Sequence, residues 1–277
     1  MPDLAVWPTD GAGPGGDGSV SSEARWRKMG RLWVPSGVDA SLLGIGGATP
    51  LAPTLAAGPT INVAIGSCWL DGHYAEMTAP ASVPATANGL LVVRFTAADN
   101  HAELLYRDAA TTCTQTAATW ELPIARMQAG AMQDIRWIAG NPGELCAPGS
   151  NTATVAITSA HTQASPLDVV SIPAVYCDGA PLLIEFQCMA IGLVVPAGTY
   201  MYVRAWLDAA EMPGVGTNDS VLALARGDTA MMRIHGRIRT TTPIPAGVHQ
   251  LRGRAYGAGG TTSGTILGPS TLRVMRL

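Results

Sequence analysis

The stretch INVAIGSCWLDGHYAEMTA, residues 61 to 79, constrains the chain more than any other. Two segments that alternate apolar and polar residues meet at Asp71-Gly72. An Asp-Gly pair between such runs selects a type I′ turn, because both central residues must take positive φ. The spacing therefore predicts an antiparallel hairpin with Trp69 and Tyr74 on its faces. GLLVVRFTA and AELLYRDA, joined across Ala98 to His101, form a second pair. WELPIARMQ and MQDIRWIA form a third around Ala129-Gly130.

The second half keeps the period of two. DVVSIPAVYC and APLLIEFQCMAI follow each other across Asp178-Gly179. PAGTYMYVRAWL and PAGVHQLRGRAY then open identically, with Pro-Ala-Gly turning the chain into an alternating strand, and STLRVMRL closes the sequence as a last strand. The predicted class is all-β with two antiparallel domains. An extended arm with a short helix occupies 1–40, an N-terminal β domain 41–140, a linker 141–152, and a β-sandwich or jelly-roll-like domain 153–277. The helix is predicted in SSEARWRKMGRLW, where Trp26, Met29 and Trp33 recur at helical spacing behind a Ser cap.

Composition excludes several functions. Charged residues are 13% of the chain and the net charge is −3, so no basic stripe offers itself to nucleic acid. The charge-free gap between Asp39 and Asp71 contains Pro50, Pro53 and Pro59 with several glycines, which would leave backbone groups unpaired in lipid. It reads as a loop entering a strand, with no membrane span. The start MPDLAVWPTDG has neither the basic nor the apolar region of a classical secretion signal.

Chemistry-bearing motifs are sparse. Cys68, Cys113, Cys146, Cys177 and Cys188 are odd in number and lack a C-x-x-C pair, so they read as free, mostly buried thiols. His73, His101, His161, His235 and His249 are scattered, have no i,i+4 partner, and read as solvated side chains without a metal. GAGPGG, residues 11 to 16, matches a dinucleotide-loop spacing but has no strand before it and carries Pro14, so no cofactor follows. The Arg226-Gly227-Asp228 tripeptide reads as a charged turn. Asp71, Glu76, Glu103, Asp108, Glu121, Glu185 and Asp208 include enough carboxylates for a hydrolytic pair. Asp71, however, is claimed by its turn, and Glu121 reads as closing a strand edge. Arg233, Arg237, Arg239, Arg252 and Arg254 would form one basic patch, open to an acidic partner or an anionic polysaccharide, if their strands lay side by side.

Residues 60–138 resemble the N-terminal domain of tail and baseplate proteins of bacteriophages, especially minor tail proteins of phages infecting actinobacteria. LDGHYAE corresponds to the family's turn, NGLLVVRFTAAD to a reduced form of its arginine-containing hairpin, WELPIARMQAGA to its next strand, and QDIRW to its closing segment. Asn88-Gly89 stands where the family carries an Arg-Asp pair. The Trp26 helix is similar to the helix that precedes this domain. PAGVHQLRGRAY through STLRVMRL is similar to the small sandwich that ends several tail and fibre proteins. The resemblance implies a virion protein made in the bacterial cytoplasm, without enzymatic activity, assembled with other tail proteins and with copies of itself, a trimer being favoured. In that setting Trp26, Met29 and Trp33 would face an assembly interface. Two other readings remain open. One is a carbohydrate-binding module of a tail fibre that stacks host glycans on Tyr202, Trp206 and Tyr256. The other is a tail-associated glycoside hydrolase.

Overall fold

A computed structural model describes residues 3–7, 36–39, 45–46, 49–138, 149–195, 197, 199–212, 221–225, 229–240, 244–258 and 262–276. The described residues are all-β, with no α-helix among them. No helix in them is long and apolar enough to cross a membrane. The helix expected over 21–33, with Trp26, Met29 and Trp33, lies outside the described residues, as do the 11–16 and 226–228 motifs. The chain divides into two compact units, Met1–Cys146 with Ala246–Val248, and Ala147–Pro245 with His249–Leu277.

The first unit contains β1 (Asp3–Trp7), β2 (Gly37–Val38), β3 (Pro53–Ala56), β4 (Thr60–Val63), β5 (Gly66–Leu70), β6 (His73–Met77), β7 (Ala81–Pro84), β8 (Gly89–Thr96), β9 (His101–Asp108), β10 (Thr119–Gln128) and β11 (Ala131–Asp134). Eight of these form one sheet in the order β11-β10-β8-β9-β1-β6-β5-β2, and β3-β4-β7 form a second. All three predicted hairpins are present. Asp71 and Gly72 take φ of 52° and 89°, and Ala129 and Gly130 take 51° and 77°. Both two-residue turns thus have the positive-φ pair that matches strand twist.

Within the segment expected as an arm, Asp3–Trp7 is an interior strand. Asp3 and Leu4 pair with Glu103 and Ala102 of β9, and Ala5 to Trp7 pair with Glu76 to Tyr74 of β6. One short strand therefore joins the two hairpins into a single sheet. At the far end Val38 N–H donates to Trp137 O at 2.7 Å, so the strip curls back toward its own start. Gly89 to Val93 are buried without alternation, as expected of a strand covered on both faces. Pro123 sits inside β10 beside a bulge at Ile124, whose carbonyl accepts from Ile135 N–H at 3.2 Å. The bulge lets a residue without an N–H occupy an interior strand.

The second unit contains β12 (Gly149–Asn151), β13 (Val155–Ile157), β14 (Leu167–Cys177), β15 (Leu182–Val194), β16 (Tyr200–Leu207), β17 (Ala210–Glu211), β18 (Val221–Ala225), β19 (Thr229–Arg239), β20 (Gly247–Ala258) and β21 (Ser263–Arg276). One sheet runs β12-β21-β15-β19 with β13 beside β21, and the other runs β14-β20-β16-β17 with β18 beside β16. Alternate residues point inward: Ile184, Phe186 and Cys188 on β15, Leu272 and Val274 on β21, Met201, Val203 and Ala205 on β16. A Cβ at Gly253 would lie 3.2 Å from Phe186, so the missing side chain is what lets the two sheets approach. This is a β-sandwich.

Asp178-Gly179 joins β14 to β15, which belong to different sheets. It is a corner: Gly179 takes φ of 94°, Ala180 N–H donates to Asp178 Oδ1 at 3.0 Å, and Arg276 Nε lies 2.8 Å from Asp178 Oδ2. Also, Gly149–Asn151, placed in the expected linker, is a strand paired with β21.

Candidate functional site

The predicted arginine patch is divided by the fold. Arg233, Arg237 and Arg239 stand on β19 in one sheet, whereas Arg252 and Arg254 stand on β20 in the other. Arg237 pairs with Glu185 at 3.2 Å on the first of these sheets. On the second, β20 lies antiparallel to β16, and register brings Tyr256 opposite Tyr202, Arg254 opposite Arg204, and Arg252 opposite Trp206. Inward positions of β16 are fully buried, so Tyr200, Tyr202, Arg204 and Trp206 share the outer face. The two Pro-Ala-Gly segments that open alike are thus hydrogen-bonded neighbours, and they carry all three residues predicted to contact glycan.

The outer face is a layered stack. Tyr202 lies 5.6 Å from Tyr256 and 6.0 Å from Tyr200. The Arg204 guanidinium sits 4.9 Å from the centre of Tyr202, and that of Arg254 sits 4.8 Å from the Trp206 ring. Such contacts contribute about 0.5–2 kcal/mol each, depending on exposure. Trp206 is half-buried on the face, outside the core. Tyr256 is 3% exposed, so it supports Tyr202 and is not itself a platform. Burial, then the Glu211 carboxylate, pushes the Tyr256 phenol up to about 12.

Carboxylates edge the stack. Arg204 Nη1 pairs with Glu211 Oε1, and Gln163 Nε2 donates to Glu211 Oε2 at 3.0 Å. Arg254 Nε donates to Asp168 Oδ1, and Arg252 Nη1 lies 3.7 Å from Asp168 Oδ2. Asp208 accepts from Gln250 N–H at 2.8 Å and faces His249 Nδ1 at 2.9 Å. Burial alone would raise the Asp208 carboxyl, but these hydrogen bonds and the nearby charges of His249 and Arg252 outweigh it and lower its pKa.

Sequence reasoning missed a second charged cluster, in the first unit. Glu121 does not close an edge: β10 is interior, and the carboxylate is 0% exposed. Its Oε1 accepts from Arg94 Nε at 2.8 Å and Nη2 at 2.7 Å. Oε2 accepts from Thr114 N–H at 2.7 Å and from Arg107 Nη1. The one available signal was that Arg94 and Arg107 sit on the two strands of the neighbouring hairpin. His73, expected to be solvated, is likewise fully buried and stacks on Phe95 at 4.0 Å. Cys68, Cys177 and Cys188 are buried and Cys113 is half-buried. Burial pushes the Cys188 thiol up to about 12 and Cys68 higher still.

Asn88-Gly89 also has a structural use. Asn88 Oδ1 accepts from Ala129 N–H at 2.8 Å, tying down the β10–β11 turn, while a Cβ at Gly89 would fall 2.3 Å from Arg107 O. A groove of about 290 Å³ beside this turn is lined by Leu55, Pro59, Ala85, Asn88 and Met127 and offers no acid or base. Among the described residues, no group of three or more His, Cys, Asp or Glu is placed to hold a metal ion.

Fold and site together define an all-β protein of two antiparallel units, one with a buried charge cluster and one with an aromatic–arginine outer face. No family model matches the chain, and no curated protein matches it. Among solved structures it is similar to an SGBP-B from a complex xyloglucan utilization locus in Bacteroides uniformis, with 11% identity over 87% of this chain and 73% of that one, and a TM-score of 0.22. At that score the likeness carries no argument.

Proposed function

We propose that this chain is a structural component of a bacteriophage virion, a minor tail or baseplate protein at the tail tip, whose second unit meets the host surface. What carries the reading is the use made of the two stretches behind the resemblance, DGHYAE and WELPIARMQAG. Both serve the frame of the first unit: Asp71-Gly72 and Ala129-Gly130 form its tight turns, and Glu121 clamps β8, β9 and β10 together. Residues spent on turns and a buried clamp suit a rigid anchoring module, not a catalytic one. The chain would act in several copies, as a trimer, against other tail proteins and without enzymatic chemistry. Electron microscopy of intact particles with labelled chain tests this, with density at the tail tip as the expected result. A stable monomer that binds no tail component would overturn it.

A second reading has its own observation. Trp206 and Tyr202 lie on the outer face of the sandwich, where planar rings can stack on sugars. A glycan-binding face would make the second unit the attachment surface of the same particle. Trp206→Ala should then abolish binding on a glycan array, and unchanged binding would remove this reading.

A further inference from the structure

This inference rests on the attachment reading of the second unit and names the chemistry that the face would take. Arg204 and Arg254 are direct cross-strand partners, an arrangement of like charges that costs stability unless anions offset it. Glu211 serves Arg204. Arg254 pairs with Asp168, and Arg252, whose Nη2 donates to Asp208 O, places its Nη1 3.7 Å from the same Asp168 carboxylate, so two guanidiniums meet at it. The anion is the exposed member: the Asp168 side chain is 54% exposed, and each arginine 15%. Arg252 Nε and Trp206 Nε1 are buried donors with no hydrogen-bond partner among the described residues. The face thus has fixed donors, two arginines meeting at one point, and an indole beside them. Asp168, the carboxylate between those two arginines, is open to water.

We propose that the Asp168 locus is a subsite for the carboxylate of an acidic polysaccharide, a uronate-containing chain, with Asp168 holding the two arginines until the ligand's carboxylate replaces it. An exposed ion pair contributes little and is exchanged cheaply, whereas guanidinium forks match a planar carboxylate bidentately. The sugar rings on either side of that uronate would stack on Trp206 and Tyr202. A neutral polysaccharide would use the rings but gain nothing from the arginines, and so would lose the competition.

The test titrates the full chain with polygalacturonate, and with dextran as the neutral control, by affinity electrophoresis at low and high salt. Polygalacturonate should bind in preference to dextran and weaken as salt rises. Asp168→Asn should tighten it about three- to fivefold by removing the competing carboxylate, while Arg254→Gln should weaken it more than about tenfold. Asp168→Asn keeps the test decisive if the arginine variant fails to fold. Equal binding of both polymers, or unchanged or weaker binding by Asp168→Asn, overturns the subsite and leaves glycan attachment standing. Absence of binding to either polymer overturns both.

Discussion

The two units contain the same motif in opposite settings. In each, two arginines meet one carboxylate. Around Glu121 the acid is fully buried and all its acceptor directions are filled; around Asp168 the acid stands in solvent and the arginines are the enclosed members. Burial decides what the motif does. A carboxylate taken out of water must keep its partners, because losing one leaves it unpaired in low dielectric. A charge left in water can change partners at small cost. The first arrangement is a lock and the second a site of exchange.

The largest effect that would sharpen this contrast comes from Glu121→Ala. It leaves Arg94, Arg107 and the Thr114 N–H without their shared acceptor, and, with each arginine 28% exposed, should cost the first unit about 1–3 kcal/mol, read by urea denaturation. A loss below about 1 kcal/mol would mean the clamp is dispensable. A smaller effect is expected at Gly130, whose φ is 77° with open space around it. Gly130→Ala meets no clash and should cost only the backbone strain of an L-residue there, about 1 kcal/mol.

The smallest is a pH effect at Asp208. Its carboxyl pKa is lowered in the folded state, so the stability it contributes is present above its ordinary value of 3.8 and is lost as pH falls through the folded value. Asp208→Asn should therefore melt at a temperature that declines less steeply than wild type on acidification below that point. The carboxyl is mostly exposed, and the difference should be small. Parallel declines would show that His249 and Gln250 do not hold the charge.

What could be read from the sequence, and what could not, follows the range of the forces involved. The turns at Asp71-Gly72 and Ala129-Gly130 were legible because positive φ at two successive residues restricts the residue types locally. Strand starts after Pro196 and Pro245 were legible for the same kind of reason. That those two strands pair, setting Tyr202 against Tyr256 and Arg204 against Arg254, is a tertiary fact with no local mark. Asp178-Gly179 carries the same dipeptide as a hairpin but turns a corner between sheets, since a turn sets direction and not the partner strand. The role of Asp3–Trp7 was hidden because its partners lie some seventy to a hundred residues away. Burial of Glu121 was hidden because its neutralising arginines come from neighbouring strands. Of the three residues read as glycan platforms, Tyr202 and Trp206 lie on the outer face, whereas Tyr256 lies beneath its neighbours.

The most direct measurement compares Glu121→Gln with Asp168→Asn in the same two assays, thermal melting and polygalacturonate binding. Lock and exchange site predict opposite signatures. Glu121→Gln should lower the melting temperature by several degrees and leave binding by the folded protein unchanged, while Asp168→Asn should lower melting less than Glu121→Gln does and tighten binding. Equal losses of melting temperature in the two variants, with no gain in binding by Asp168→Asn, would contradict the account.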